Sequence, residues 1–295
     1  MRGLRKSYGD FAAVRDLSFQ VEEGEVVAVL GPNGAGKTTT VEILEGYRER
    51  DAGDVSVLGF DPADGGADFR ARIGIVLQSG GFDPYLTARE MLEMYAGYYP
   101  KPRSVDEVIE LVDLGEKADG RVRTLSGGQQ RRLDLGLGLI GDPDLLFLDE
   151  PTTGFDPSAR RQAWEVIRRL GDLGKTVLLT THYMEEAQAL ADRVVVIAAG
   201  EKVADGSPES IGGRSTADVT IRFDLPTGVQ VADLPVEASE EAARVAQVLT
   251  AHPTAILGEL TAWAIGRGEE LEGLTVARPS LEDVYLQITG EHDDV

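Results

Sequence analysis

Residues 31–39 read Gly31-Pro32-Asn33-Gly34-Ala35-Gly36-Lys37-Thr38-Thr39. This stretch matches the P-loop pattern and lies between an apolar strand pattern, Glu25–Leu30, and an apolar-periodic helix pattern. Glycines let consecutive N–H groups point at phosphate oxygens, and the start of the next helix adds partial positive charge. The stretch therefore predicts a phosphate-binding loop, with Lys37 at the β- and γ-phosphates and the Thr38 hydroxyl on Mg²⁺.

Two carboxylates follow a second apolar strand pattern. Leu145–Leu148 runs directly into Asp149 and Glu150. Carboxylates at the end of a buried strand point into the crevice where doubly wound sheets bind ligands. We therefore expect Asp149 to hold Mg²⁺ through water and Glu150 to polarise an attacking water molecule.

A glycine-rich turn lies between these two motifs. It reads Leu125-Ser126-Gly127-Gly128-Gln129. On its own it predicts a turn and a helix cap, and the N-terminus of that helix could bind a further phosphate.

Short apolar runs alternate with helical patterns up to about residue 212, which predicts an α/β unit with a largely parallel sheet. The predicted buried strands are Val26–Leu30, Ile73–Leu77, Leu145–Leu148, Thr176–Leu179 and Val194–Ile197. Helix starts are predicted at capping boxes and at a proline-assisted N-cap: Thr87 with Glu90, Ser104 with Glu107, and Asp156 with Pro157.

A break near Gly212–Gly213 divides the chain into predicted domains 1–212 and 213–295. The second part is acidic and carries no motif of the kind described above, and we expect a small α+β appendage. Its predicted elements are a half-exposed strand through Val219, Ile221 and Phe223, a helix at Glu240–Leu249, a strand at Thr261–Ile265 and a final helix from Ser280 to Ile288.

Composition excludes several classes of function. The chain has no cysteine, so disulfides and thiolate metal sites are excluded, and three histidines argue against a His-rich metal site. A net charge of −22 disfavours nucleic-acid binding, because the surface repels phosphates. The longest apolar runs have strand length, well short of the ~18 residues of a membrane-spanning helix.

Taken together, the P-loop, the carboxylate strand and Leu125–Gln129 resemble the ABC ATPases, whose signature motif Leu125–Gln129 matches. The resemblance covers roughly residues 3–211. It implies an α/β P-loop NTPase cassette with a RecA-like lobe, an antiparallel β subdomain and a helical subdomain, followed by the appendage. It also identifies Gln78 with the Q-loop, Gly154–Pro157 with the D-loop, and His182 with the switch histidine.

The resemblance implies a complete set of site residues, with ATP as substrate and Mg²⁺ as cofactor. The catalytic residues would be Lys37, Gln78, Glu150 and His182. The metal ligands would be Thr38, Gln78 and Asp149. The residues in contact with ATP would be Tyr8, Gly31, Pro32, Asn33, Gly34, Ala35, Gly36, Lys37, Thr38, Thr39, Ser126, Gly127, Gly128 and Gln129, with Tyr8 stacked on adenine.

Within the ABC proteins the chain is similar to ATPases of the daunorubicin-resistance type, through Leu44–Arg48, Thr181–Ala187 and Ser280–Tyr285. This resemblance implies a head-to-tail homodimer and a separate ABC-2 type permease. The implied role is export of a drug, an antibiotic or another hydrophobic compound, from a peripheral position on the cytoplasmic face of the membrane. An importer subunit and a non-transport ABC ATPase stay open as alternatives.

Two glycines, Gly136 and Gly138, lie inside the helix that follows the signature. Each costs roughly 0.5–1 kcal/mol relative to alanine in a helix interior. They predict either a softer helix or unusually close packing.

Overall fold

The computed structural model describes residues 1–77, 81–242 and 244–289. The chain divides into two compact units, Met1–Pro208 and Glu209–Val295. The predicted boundary after Gly212 lies slightly beyond this division and stays a prediction.

The first unit contains nine strands and seven α-helices among its described residues. In chain order the strands are β1 (Arg2–Tyr8), β2 (Phe11–Leu17), β3 (Val26–Leu30), β4 (Ala52–Asp54), β5 (Ile73–Val76), β6 (Leu145–Asp149), β7 (Thr176–Thr181), β8 (Arg193–Ala198) and β9 (Glu201–Gly206). The helices are α1 (Lys37–Leu44), α2 (Gly66–Arg70), α3 (Ala88–Ala96), α4 (Val105–Leu111), α5 (Gly127–Leu139), α6 (Pro157–Asp172) and α7 (Met184–Leu190).

A six-stranded sheet in the order β5-β6-β7-β3-β8-β9 forms the centre of this unit. All neighbouring strands are parallel except β8 and β9, which confirms the predicted, largely parallel core. Every residue of β3 is buried, as expected for a central strand covered on both faces. Because β3, β6 and β7 run in parallel, the segments that follow them meet at one edge of the sheet.

Two smaller parts complete the first unit. A three-stranded antiparallel sheet has the order β2-β1-β4 and contributes Leu4, Val14 and Leu17 to the hydrophobic core. Helices α3, α4 and α5 pack on one another. These parts correspond to the antiparallel and helical subdomains that the resemblance implied.

The helix caps test the local sequence predictions. Thr87 and Glu90 form the predicted capping box at the start of α3. The capping box predicted for Ser104 and Glu107 is wrong, because the Ser104 side chain makes no capping hydrogen bond. The Glu107 carboxylate instead pairs with Arg103 at 3.0 Å. This ion pair uses the carboxylate that would have accepted the backbone hydrogen bond of the capping box.

The second unit is a small α+β fold, as predicted. Its four-stranded antiparallel sheet has the order β11-β12-β10-β13. The bounds are β10 (Val219–Asp224), β11 (Ser239–Ala242), β12 (Val245–Thr250), α8 (Pro253–Arg267), β13 (Thr275–Ala277) and α9 (Leu281–Thr289). Strand β10 confirms the predicted alternation, because Val219, Ile221 and Phe223 are buried, and α9 confirms the predicted final helix.

Two element predictions in this unit are wrong. The described residues of the predicted helix Glu240–Leu249 lie in β11 and β12, apart from Arg244, whose φ of +68° is incompatible with a helix there. The segment Thr261–Ile265 lies inside α8 rather than in a strand. Its β-branched residues suggested a strand, but Pro253 starts a helix that continues past them.

Among the described residues, no helix combines the length and the apolar character that crossing a membrane requires.

The two glycines of α5 differ in the space around them. A Cβ at Gly138 would lie 2.7 Å from Cγ2 of Val76, which is closer than Cβ atoms approach other atoms in proteins. A Cβ at Gly136 would lie 3.3 Å from the nearest side-chain carbons of Leu92 and Val108, which is tight but not prohibitive. Close packing is therefore the reason for Gly138 in the middle of this helix.

We expect Gly138→Ala to lower the free energy of unfolding by about 1–2 kcal/mol, since overpacking outweighs the gain in helix propensity of about 1 kcal/mol. Gly136→Ala in the same helix is the matched control and should change it by less than about 1 kcal/mol. Urea unfolding of both variants measures the difference. Equal stability of the two variants would contradict a packing role that is specific to Gly138.

Candidate functional site

The phosphate-binding loop has the predicted strand–loop–helix arrangement. It leaves β3 at Leu30 and enters α1 at Lys37. A Cβ at Gly31 would overlap the carbonyl oxygen of Ile197, and one at Gly36 would overlap that of Ala13. Gly36 also has a φ of +98°, which favours glycine. At Gly31 and Gly36 the loop therefore packs against neighbouring backbone that leaves no room for a side chain.

Lys37 is buried in this loop, with only 5% of its surface exposed. Its Nζ donates to the carbonyl oxygens of Gly31 at 2.8 Å and Pro32 at 3.1 Å, and lies 3.9 Å from Oε1 of Glu150. Burial lowers the pKa of the Lys37 ammonium, while the negative charges of Glu150 and Asp149 act in the opposite direction. Among the described residues, the two hydrogen bonds use two of its three N–H donors, which leaves one for an anion in the loop.

The two predicted carboxylates lie where β6 ends. Asp149 is the last residue of β6, and its Oδ1 accepts a hydrogen bond from Thr180 Oγ1 at 2.5 Å. The backbone N–H of Glu150 donates to the same Thr180 hydroxyl at 3.0 Å. Thr180 on β7 is fully buried and was not predicted as a site residue. The available signal was a threonine in the second-last position of a buried strand that ends at the site.

Glu150 adopts a strained backbone conformation. Its φ is +45°, in the left-handed region that few residues other than glycine occupy. Its Oε1 lies 3.2 Å from Nδ1 of His182, and its Oε2 accepts a hydrogen bond from Thr153 Oγ1 at 3.1 Å. Backbone strain of this kind concentrates at functional sites.

The structure thus brings Lys37, Asp149, Glu150 and His182 together at the carboxyl edge of the sheet. They come from three parallel strands: Lys37 begins the helix after β3, Asp149 and Glu150 lie at the end of β6, and His182 follows β7. Thr38 is exposed at the start of α1, next to Lys37. Gln78, predicted as a catalytic residue and a metal ligand, lies outside the described residues.

The signature residues form a regular helix start. Ser126 is the N-cap of α5, and it exchanges hydrogen bonds with Gln129 in a capping box. Ser126 and Gly127 are exposed. No hydrogen bond among the described residues joins this helix start to the phosphate-binding loop.

Tyr8 ends β1 and is 41% exposed. Two cations flank its ring: the Arg48 guanidinium carbon lies 5.2 Å from the ring centroid, and the Lys6 Nζ lies 5.7 Å from it. A half-exposed ring of this kind can stack on a nucleobase, as the resemblance implied.

The fold and the loop geometry agree with matches to known families. The family model described as ABC transporter matches residues 14–153, and a second model, ABC transporter domain-containing protein-like, C-terminal domain, matches residues 219–280. Daunorubicin resistance ATP-binding protein DrrA2 of Streptomyces coeruleorubidus is 40% identical, over 99% of this chain and 94% of that protein.

The chain belongs to the ABC transporter ATP-binding subunits. Another relative of this family, Nod factor export ATP-binding protein I of Burkholderia orbicola (strain AU 1054), is 38% identical, over 98% of this chain and 96% of the relative. The predicted resemblance to the daunorubicin-resistance type is confirmed.

Solved structures of ABC cassettes share the fold. A dimeric ATP-binding cassette in a post-hydrolysis state, bound to ADP and Pi, is 26% identical with a TM-score of 0.62. The match covers 70% of this chain and 97% of that one. The ATP-binding subunit of another ABC transporter gives a TM-score of 0.63 at 26% identity, over 71% of this chain and 89% of that one. The predicted cassette fold is therefore confirmed.

A buried ion pair in α5 generates a prediction about pH. The carboxylate of Asp134 lies 3.5 Å from Arg131, and burial raises its pKa to about 6, although Arg131 opposes the shift. Because the folded-state pKa lies above the ordinary value of 3.8, protonation stabilises the fold. The stabilisation of the folded state by protonated Asp134 is fully present at low pH and is lost as the pH rises through about 6.

We therefore expect the wild type to gain on the order of 2 kcal/mol of unfolding free energy relative to Asp134→Asn when the pH falls from about 7.5 to about 4.5. Chemical denaturation at a series of pH values measures this difference. A difference that does not vary with pH would contradict the raised pKa.

Proposed function

We propose that this chain hydrolyses ATP and thereby energises export by a transporter whose permease is a separate polypeptide. The observation that carries the proposal is the position of Lys37 and Glu150. A buried ammonium and a carboxylate on a strained backbone lie 3.9 Å apart, beside a glycine-rich loop. This arrangement places a phosphate-binding cation and a general base within reach of one substrate.

The residues present fit a triphosphate and its metal. Gly31–Thr39 would surround the phosphates with backbone N–H groups, and the remaining N–H donor of Lys37 would reach the terminal phosphates. The Thr38 hydroxyl and the Asp149 carboxylate offer oxygen ligands of the kind that Mg²⁺ prefers, and Gln78 is assigned with them. Bound Mg²⁺ neutralises charge on the phosphate oxygens. Tyr8 would stack on the base.

Glu150 is assigned as the base that accepts a proton from the attacking water, and His182 as the residue that orients this carboxylate. The 3.2 Å separation of His182 Nδ1 and Glu150 Oε1 supports the pairing. The hydroxyl of Thr153 holds the other carboxylate oxygen at 3.1 Å. Oε1 is the oxygen that lies nearer to Lys37, and in the proposed complex it would face the substrate phosphates.

We propose that the active form is a head-to-tail homodimer. No described hydrogen bond links Ser126–Gln129 to the loop of the same chain, and this exposed helix start suits a phosphate carried by a second copy. A solved relative is dimeric in a state bound to ADP and Pi. Each nucleotide would then lie between Gly31–Thr39 of one copy and Ser126–Gln129 of the other.

The names of the relatives support an export role. One is named for daunorubicin resistance and another for Nod factor export, and both match nearly the whole of this chain. We accordingly propose an ABC-2 type permease as partner, a peripheral position on the cytoplasmic face of the membrane, and a drug, an antibiotic or another hydrophobic compound as cargo. Neither the importer nor the non-transport alternative gains support from these relatives.

Replacing Glu150 tests the base assignment. Glu150→Gln should bind ATP yet lower turnover by at least about 100-fold, because the amide cannot accept the proton of water. ATP and magnesium should then accumulate a dimer of the variant on gel filtration. Lys37→Ala, which should lose nucleotide binding, is the control for binding. Turnover by Glu150→Gln near the wild-type rate would remove Glu150 from this role.

Replacing Ser126 tests the proposed homodimer. Ser126→Arg should leave ATP binding to a single copy within about threefold of wild type, since no described contact joins Ser126 to the phosphate-binding loop. It should abolish turnover, because a large cation at the helix start blocks the second copy. Fluorescent nucleotide binding and phosphate release measure the two effects. Unchanged turnover would exclude a signature that acts between copies.

A further inference from the structure

Arg131 is a buried arginine in the second turn of α5. Only 6% of its surface is exposed, and burial lowers the pKa of its guanidinium while Asp134 acts in the opposite direction. A buried arginine is costly unless its charge and its N–H groups are satisfied. The nearby carboxylate of Asp134, at 3.5 Å, supplies the opposite charge.

The guanidinium N–H groups are directed at backbone carbonyls of two other segments. Nε donates to the carbonyl oxygen of Pro151 at 3.0 Å, and one terminal nitrogen donates to that of Asp149 at 3.2 Å. The other terminal nitrogen donates to the carbonyl oxygen of Leu77, the residue before Gln78. One side chain therefore connects α5 to the backbone at the carboxyl ends of β5 and β6.

The two carbonyls at Asp149 and Pro151 lie on either side of Glu150. Arg131 therefore holds the peptide group directly before Glu150, through Asp149, and the peptide group after Pro151, on either side of the residue with the φ of +45°. A conformation of this kind costs of order 1–3 kcal/mol and persists only where its surroundings impose it. The Thr180 hydroxyl on the neighbouring strand β7 accepts a hydrogen bond from the N–H of Glu150, so Arg131 and Thr180 both restrain the backbone around this residue.

We propose that Arg131 is a positioning residue for hydrolysis, which holds Glu150 in its left-handed conformation and so directs its carboxylate towards Lys37. The proposal rests on the proposed role of Glu150 as the base. Arg131 itself does not touch the substrate. It acts through the backbone on both sides of Glu150, and its loss should therefore affect the chemical step and not the binding of nucleotide.

The test compares Arg131→Gln with Arg132→Gln. Arg132 is the next residue of the same helix, is buried to a similar degree at 8% exposure, and pairs with Asp113 at 2.7 Å, away from Glu150. It therefore measures the general effect of removing a buried arginine from α5. Steady-state phosphate release and fluorescent nucleotide binding give kcat, KM and the dissociation constant for ATP for each variant.

Arg131→Gln should lower kcat by about 10- to 100-fold, the range expected when a reacting group is displaced by about 1 Å. Its KM and its dissociation constant for ATP should stay within about threefold of wild type. Arg132→Gln should keep kcat within about twofold. Arg131→Lys, which keeps the charge but can reach fewer carbonyls, should give an intermediate kcat, and it takes the place of Arg131→Gln if that variant does not fold.

Two results would overturn the proposal. One is a kcat for Arg131→Gln, or for Arg131→Lys in its place, that equals the kcat of Arg132→Gln. The other is a loss of nucleotide affinity that accounts for the whole loss of activity. If Glu150→Gln also retains turnover, the base assignment itself is wrong. If Glu150→Gln is inactive and Arg131→Gln is not impaired, only the positioning role fails.

Discussion

The rest of the site depends on the interactions of one buried ammonium group, that of Lys37. It lies between two backbone carbonyls and the carboxylate of Glu150. A buried cation is stable only where opposite charge lies close by. The carboxylates at the end of β6 supply part of that charge, and the phosphates of a bound nucleotide would supply the remainder. The electrostatics of this lysine thus support the proposed binding of nucleotide phosphates at the site.

The parallel sheet makes this arrangement possible. The segments after β3, β6 and β7 begin at the same edge, so a loop, two carboxylates and a histidine that are distant in sequence become neighbours. Thr180 and Arg131 then fix the carboxylate segment from two sides, through the N–H of Glu150 and through the carbonyls around it. Because Arg131 belongs to the helix that begins at the signature, one element contributes to the base of its own chain and, in the proposed dimer, to the nucleotide of the other.

The motifs with special chemistry were predictable, because glycines, carboxylates and a lysine at fixed spacing after apolar strands are typical of a phosphate-binding site and of little else. The largely parallel sheet was predictable because its apolar strand patterns alternate with helical ones. The hydrogen bonds from Arg131 to the backbone around Glu150 were not predictable. In the sequence Arg131 looks like an ordinary helix residue, and only the fold shows which carbonyls it contacts. In the second unit, Glu240–Leu249 and Thr261–Ile265 were assigned wrongly, since a φ of +68° at Arg244 and the helix start at Pro253 outweigh local propensity.

Most of the proposed mechanism depends on each triphosphate being held between two copies of this chain. Mixing Lys37→Ala with Ser126→Arg chains tests this most directly, because a mixed dimer has one composite site in which the loop and the signature are both intact. Single-turnover hydrolysis of ATP by the mixture is the measurement. We expect phosphate to be released by the mixture and by neither variant alone. A mixture as inactive as its components would contradict a site shared between two copies.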